Sequence, residues 1–379
     1  MNEYLDAALR LHRFMRTNNW TGHALCGPDQ GVRFNRRLWR YVKSALPFYP
    51  WADNTCYMQA QGYWVFDNWL LFDLTADKQY ADFALKCTQS ILAAQLPAGY
   101  WEYPHSEWEG RISTVEGIWA SLGLLETYER TGDEAFLQGA LKSYEFLFKQ
   151  TGFKEYAGGL AINYFANMDG GLVPNNTTLF LPFLAKLAAL TDDDQYLKFC
   201  PQMITFLTGV QLKSGEIPYA RKPSGEWRAH YQCYQYNAFE LQDLVMYYQT
   251  INDDRVLPLI ALVAQFLIQS VRPDGSTRFD CHDRDIHILY NSAAIAAALG
   301  MARQLGLGGD LQAEDRVYSY LLSKQNPSGG FPFSTREYGV LVDRRYYPRP
   351  LSMLLYHLLL KSGEFAFRVS DKDQKRRLT

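Results

Sequence analysis

The sequence predicts an all-α ring of six helical hairpins. Buried inner helices are wrapped by outer ones, and glycine-rich loops gather at one end. Three observations predict it. The first is a recurring loop. Gln-x-x-x-Gly-x-aromatic occurs at Gln95–Gly99–Trp101 and Gln325–Gly329–Phe331, and Gln211–Gly215 repeats it with Ile217 in the aromatic's place. A copy at 271–280 keeps Gly275 but lacks the Gln, and 151–165 is a looser copy. Starts at 95, 211, 271 and 325 lie 116, 60 and 54 residues apart. A period of about 57 fits, with one weak copy between the first two. The second observation is alternation between helices that are apolar all round and helices with one charged face. The third is an aspartate in each short turn between them.

The elements follow in order. Residues 3–16 form a helix with no predecessor. Pairs then run over 54–75 and 77–95, 113–131 and 133–150, 175–190 and 194–211, 231–250 and 253–270, and 287–305 and 311–325. A last helix at 350–363 has no successor, so it pairs with the first if the ring closes. The leading helix of each pair is apolar on every side, which marks a buried inner helix; the second is amphipathic and belongs outside. Asp in the turns "LTADKQY", "RTGDEAF", "LTDDDQY" and "TINDDRV" suits a helix N-cap, where it satisfies orphan N–H groups. The glycine-rich loops join each outer helix to the next inner one, so they share one end with the inner-helix starts. Function is expected there, and the motif is read as stapling an outer helix to the following inner one. The segment 20–55, rich in Trp, Arg and Pro, reads as an insertion covering part of that face. One domain is expected over 1–364, followed by a solvated basic tail at 365–379.

Composition narrows the classes. With 379 residues and 47% hydrophobic content the chain can bury a large core. A net charge of −2 offers no overall attraction for nucleic acid. No apolar run reaches the ~18 residues of a membrane span. The opening "MNEYLDAALRLHRFM" is amphipathic and carries acids, unlike a secretory leader, which gives an expectation of cytoplasmic location. Cysteines 26, 56, 87, 200, 233 and 281 show no paired spacing and read mostly as buried thiols in a reducing compartment. Aromatics make up 15% of the chain, enough to line a cavity as well as pack a core.

The repeated Gln/Gly/aromatic loop after an apolar helix resembles the QW-type repeat of the squalene-cyclase and protein-prenyltransferase superfamily. The hairpins are similar to the wider (α/α)6 toroid group, which includes polysaccharide lyases, uronate epimerases, uronyl hydrolases and lanthionine cyclases. The resemblance covers residues 56–362. It implies the fold and leaves the chemistry to the site.

The polar residues at the loop end suit sugar. Tyr, Asn, Gln and His can bond hydroxyls, and Arg can bind a carboxylate. A hydrocarbon cyclase needs a strong acid in an apolar cavity, and the Asp-x-Asp-Asp run of protonating terpene cyclases is absent; "DRD" at 283–285 is a partial echo. The reading adopted is an enzyme on a uronate-containing polysaccharide or oligosaccharide, of lyase or epimerase type. It uses no metal or cofactor and has no nucleic-acid partner. Arg345 or Arg349 neutralises the carboxylate and acidifies the adjacent C–H; Tyr236, His230 and His282 are the proton-transfer candidates. Catalysis is assigned to Tyr236, His230, His282 and Arg345. Substrate binding is assigned to Trp101, Tyr103, Glu109, Asn176, Tyr219, Tyr234, Asn237, Tyr290, Asn291 and Arg349.

Four alternatives stay open, the first a terpenoid-cyclase- or prenyltransferase-like enzyme, as the resemblance to the QW-type repeat implies. A hydrolase could draw two carboxylates from Glu102, Glu107, Glu109, Asp169 and Asp283. Cys233, Cys281 and His282 resemble the zinc ligands of lanthionine cyclases, although the glycines flanking those ligands are missing from "YQCYQY" and "FDCHDR". A non-catalytic glycan-binding scaffold would carry the same aromatic loops.

Overall fold

The computed structural model describes residues 2–29, 38–46, 54–104, 108–221, 232–282 and 284–363, with the side chains of 38–40 and 43 excluded. The tail at 365–379, His105, Glu107, His230 and Asp283 lie outside the described residues. In chain order the helices are α1 (Glu3–Asn18), α2 (Leu38–Ala45), α3 (Met58–Thr75), α4 (Lys78–Ala93), α5 (Thr114–Thr131), α6 (Glu134–Phe146), α7 (Pro174–Thr191), α8 (Cys200–Val210), α9 (Cys233–Ile251), α10 (Leu257–Ile268), α11 (Leu289–Gln304), α12 (Leu311–Leu322) and α13 (Pro348–Ser362). Two two-stranded antiparallel sheets accompany them. They are β1 (Phe153–Tyr156) with β2 (Gly159–Ile162), and β3 (Ile286–Ile288) with β4 (Ser334–Glu337).

Helices α3, α5, α7, α9, α11 and α13 form a closed inner circle, each touching the next and α13 returning to α3. Helices α4, α6, α8, α10 and α12 back them from outside, and α1 packs on α13. The inner helices are buried on all sides; every residue of α11 from Leu289 to Ala302 is buried, with Ala at much of the length letting neighbours approach closely. The chain is an α/α toroid.

Short turns define one end of the ring. Asp77, Asp133, Asp193 and Asp253 each accept a backbone N–H of the helical turn that follows, as the sequence implied, and Asp310 does the same before α12. The inner helices close there in left-handed residues Ala76, Gly132, Asp192 and Asn252.

The repeated loop motif has a different job from the one expected. The Gln95 amide donates to Gly99 O (3.2 Å) in its own loop and to Gly139 O (2.8 Å) on α6. Gln211 repeats this with Gly215 O (3.1 Å) and Leu259 O (3.2 Å) on α10. Gln325 does so with Gly329 O (2.9 Å) and Ala7 O (2.9 Å) on α1. The motif therefore clasps one outer helix to the next outer helix, not to the next inner one. Its glycine is obligatory. At Gly329 φ is +95°, and a Cβ would lie 2.5 Å from Arg10 O.

One further expectation is corrected. Cys26 and Cys56 are joined by a disulfide, so they are not thiols. Spacing hid the pair because 30 residues separate the two in sequence. The 20–55 insertion also contains a helix, α2. From this region Tyr41 OH donates to Glu337 Oε2 (2.9 Å), Leu25 N donates to Gln61 Oε1 (2.7 Å), and Arg349 pairs with Asp29 (3.0 Å).

Candidate functional site

A cavity of about 490 Å³ opens where the inner helices begin. Its upper tier comes from their first turns: Gln59, Glu116, Asn175, Gln235, Tyr290 and Arg349. One turn deeper, Tyr63, Trp119, Leu179, Phe239 and Met353 form a largely apolar tier. Tyr63 and Trp119 are stacked with centroids 3.9 Å apart. The i,i+4 spacing from Gln59 to Tyr63, Asn175 to Leu179, Gln235 to Phe239 and Arg349 to Met353 is what puts a polar rim over an aromatic floor. Asp243, another four residues beyond Phe239, reaches the same cavity.

Glu116 is the central ionisable group. Its side chain crosses from α5 to the start of α3, where Oε2 accepts the Gln59 N–H at 2.9 Å. Tyr57, the residue before α3, supplies no side-chain cap, so Glu116 caps that helix from its neighbour. Burial pushes the carboxyl up to about 7, opposed by the Gln59 and Met58 N–H groups and by Arg349. Asp243 is held well above the usual carboxylate range by desolvation, although Thr178 Oγ1 donates to Oδ2 at 3.0 Å. Arg349 pairs with Asp29, and its guanidinium lies 4.1 Å from the centre of the Tyr57 ring.

The structure brings some of the residues named from sequence to this cavity. Tyr236, Tyr103, Tyr290 and Arg349 line it. Tyr219 packs on Tyr236 with centroids 4.3 Å apart. Gln235 Nε2 donates to Tyr290 OH at 3.0 Å.

Others are placed elsewhere, each for a physical reason. Trp101 is buried in the core, its indole N–H spent on Ile91 O (2.8 Å). Tyr234 turns outward and stacks on Phe266 of α10. Asn237 bonds both the N–H and the C=O of Ile217 (2.8 and 2.9 Å), which makes it a backbone clamp. Arg345 lies behind the rim, paired with Asp343 at 3.4 Å. His282 is exposed, and its backbone N–H goes to Asp280 Oδ1 (3.1 Å). Glu109 is exposed, as is Glu102, and Asp169 pairs with Lys154 on the surface. Asn176 and Asn291 are buried in the first turns of α7 and α11, with side-chain N and O unpartnered among the described residues. His230 lies outside the described residues.

Glu116, Asp243, Asp29 and Gln59 were missed. The available clue was an acid inside a helix otherwise apolar all round, because burying one demands a partner or a raised pKa. Cys233 and Cys281 do meet, with sulfurs 3.0 Å apart, but no group of three or more metal-ligating side chains occurs among the described residues.

The class that this architecture defines, the α/α toroid, contains several solved structures similar to the chain. A possible member of glycoside hydrolase family 105 from Salmonella enterica serovar Paratyphi A shares 12% identity over 97% of this chain and 96% of its own, with a TM-score of 0.69. An unsaturated glucuronyl hydrolase specific for heparin shares 15% over 98% and 97%, with a TM-score of 0.63. A polysaccharide lyase shares 11% over 97% and 100%, with a TM-score of 0.64. At such identities the likeness is one of fold. No protein-family model and no curated protein matches the sequence.

Proposed function

We propose that the chain is a carbohydrate-active enzyme that acts on an acidic, uronate-containing saccharide by proton transfer from Glu116. One observation carries this reading: a buried carboxyl, with its pKa raised to about 7, faces a cavity that also holds Arg349. Protonated near neutrality, it can give a proton to a glycosidic oxygen. As the bond from the anomeric carbon to that oxygen breaks, water adds to the anomeric carbon, and the Glu116 carboxylate, stabilised by the Gln59 N–H and by Arg349, takes the proton that this water loses. Arg349 supplies the cation for the sugar carboxylate. Trp119, stacked on Tyr63, offers an aromatic surface at the cavity floor for a pyranose face. The neighbours that act on glycans, a hydrolase on unsaturated glucuronyl groups and a polysaccharide lyase among them, agree with this class.

Tyr236 on the same wall supports a second reading, proton abstraction of lyase or epimerase type. One assay separates the two. Uronate-containing and neutral oligosaccharides are incubated with the wild type and with Glu116→Gln in heavy water. New reducing ends without unsaturation, lost in Glu116→Gln, are expected. Unsaturated ends would point to a lyase, and carbon-bound deuterium without cleavage to an epimerase. Equal turnover of neutral sugars would remove the uronate part of the proposal.

A further inference from the structure

Four cysteines lie outside the Cys26–Cys56 bridge, and two of them face each other at the cavity mouth. Cys233 is the first residue of α9 and is buried; Cys281 is exposed in the segment that leads toward β3. Their sulfurs are 3.0 Å apart, and the Cys281 N–H points at Cys233 Sγ from 3.2 Å. Both chain segments carry cavity wall. Gln232, Gln235 and Tyr236 flank Cys233, while Phe279 and Arg284 flank Cys281. Gln232 holds a left-handed backbone, φ +48°, immediately before the helix.

Two uses of a cysteine pair differ in what they need around it. Tetrahedral zinc with Zn–S of about 2.3 Å would hold its thiolates roughly 3.8 Å apart and needs further ligands, and no group of three or more metal-ligating side chains occurs among the described residues. A disulfide needs only the two sulfurs, which at 3.0 Å are about 1 Å from bonding distance. The remaining thiols, Cys87 and Cys200, are buried on other elements.

We propose that Cys233 and Cys281 form a reversible thiol–disulfide site that ties the start of α9 to the 279–282 segment at the cavity mouth. The co-reactant is a small-molecule disulfide of the glutathione class. The exposed Cys281 thiolate attacks one sulfur of that disulfide, breaking its S–S bond and releasing one small thiolate. Cys233 then attacks the Cys281 sulfur, forming the internal S–S bond and releasing the second thiolate. The two cysteine protons end on the released thiols, and the external disulfide takes both electrons. The Cys233 S–H donating to the Cys281 sulfur is the first cause that holds the Cys233 thiol high, with burial second; the mixed disulfide weakens the first, while the Cys281 N–H still points at Cys233 Sγ and favours its thiolate. The bond leaves the fold intact, because the partners already touch. It fixes the wall segment that carries Gln235 and Tyr236 against the one that carries Phe279.

The test uses the full chain across a series of oxidised-to-reduced glutathione ratios, followed by alkylation, intact mass and peptide mapping. Expected is the loss of two alkylatable thiols per chain, a Cys233–Cys281 cross-linked peptide and full reversal by dithiothreitol. A melting temperature several degrees higher in the oxidised form should accompany them. Cys233→Ser and Cys281→Ser should each abolish the cross-link, and Cys233→Ser should stop at a glutathione adduct on Cys281. Both cysteines alkylated at every ratio, or a persistent adduct on Cys281 in the wild type, would overturn the proposal. So would stoichiometric zinc lost on replacing either cysteine.

Discussion

Glu116 and Glu126 lie on one helix, α5, about 15 Å apart along its axis. Both are buried, and burial by itself would raise both. At the far end Lys186 and Arg130 outweigh it and bring Glu126 down to about 2. There Arg130 also grips Asp73 (2.9 Å) and Lys186 reaches Glu129 (2.9 Å), so α3, α5 and α7 are tied by matched charges. At the cavity end Glu116 has backbone N–H groups and a guanidinium already paired with Asp29, and its pKa rises to about 7. The same residue type on the same scaffold is held ionised where its charge is compensated and is held toward its protonated form where it is not. The two ends of the ring divide along that line: stereotyped turns and saturated ion pairs at one, individual loops and an underpaired acid at the other.

The sharpest way to break this contrast is Glu116→Gln. Turnover of the substrate should fall about 10²–10⁴-fold, the usual worth of a general acid, while the melting temperature barely moves because the amide oxygen still caps α3. A large melting shift with activity retained would make Glu116 only a cap. Next in size is Gly329→Ala at the ring-closing clasp. The clash with Arg10 O and the positive φ should destabilise by about 3 kcal/mol or more, read as a lower denaturation midpoint.

Third is Glu126→Gln, expected to cost about 2–3 kcal/mol near pH 7 with kcat unchanged. The two glutamates also differ in sign with pH. Glu126 is depressed, so its contribution is present above about 4.5 and is lost as pH falls toward about 2. Glu116 is raised, so the stability of its protonated form is present below about 4.5 and is lost as pH climbs through about 7. Chemical denaturation across pH should therefore show the acid-side loss vanish in Glu126→Gln and the neutral-side loss vanish in Glu116→Gln. Activity that depends on protonated Glu116 should decline above about pH 7. The smallest effect is Asp133→Ala, a far-end cap worth about 1 kcal/mol, with catalysis untouched. A loss of activity there would mean that the two ends are coupled.

The ring was legible in sequence because its signals are periodic and local. Apolar-all-round helices, Asp caps and the Gln/Gly loop each repeat, so one weak copy does little harm. The site was only half legible. The cavity opens at the end of the ring where function was expected, and Tyr103, Tyr236, Tyr290 and Arg349 line it. Glu116 escaped because "STVEGIWAS" reads as plain inner helix, and nothing in one dimension shows its carboxyl crossing to the N–H groups of α3. Trp101 was misplaced for the converse reason. An aromatic after a loop glycine can face a ligand or plug the core, and its indole N–H chose Ile91. The Gln partners were equally hidden, since the clasped carbonyls sit on helices 44, 48 and 318 residues away in sequence.

That last separation has a consequence for how the molecule is made. Of the ring's helices, α1 is made before the others, and its Ala7, Ala8, Leu11 and Met15 are buried in the finished fold. Its partners, α13 and the Gln325 loop, are made after the intervening helices. The apolar seam must therefore stay open while the rest of the ring assembles, and the slowest contact is the one that closes the ring. A nascent ring of this design stays sticky until α13 emerges, which makes the seam the place where a chaperone would be needed and where two unfinished rings could wrongly trade helices.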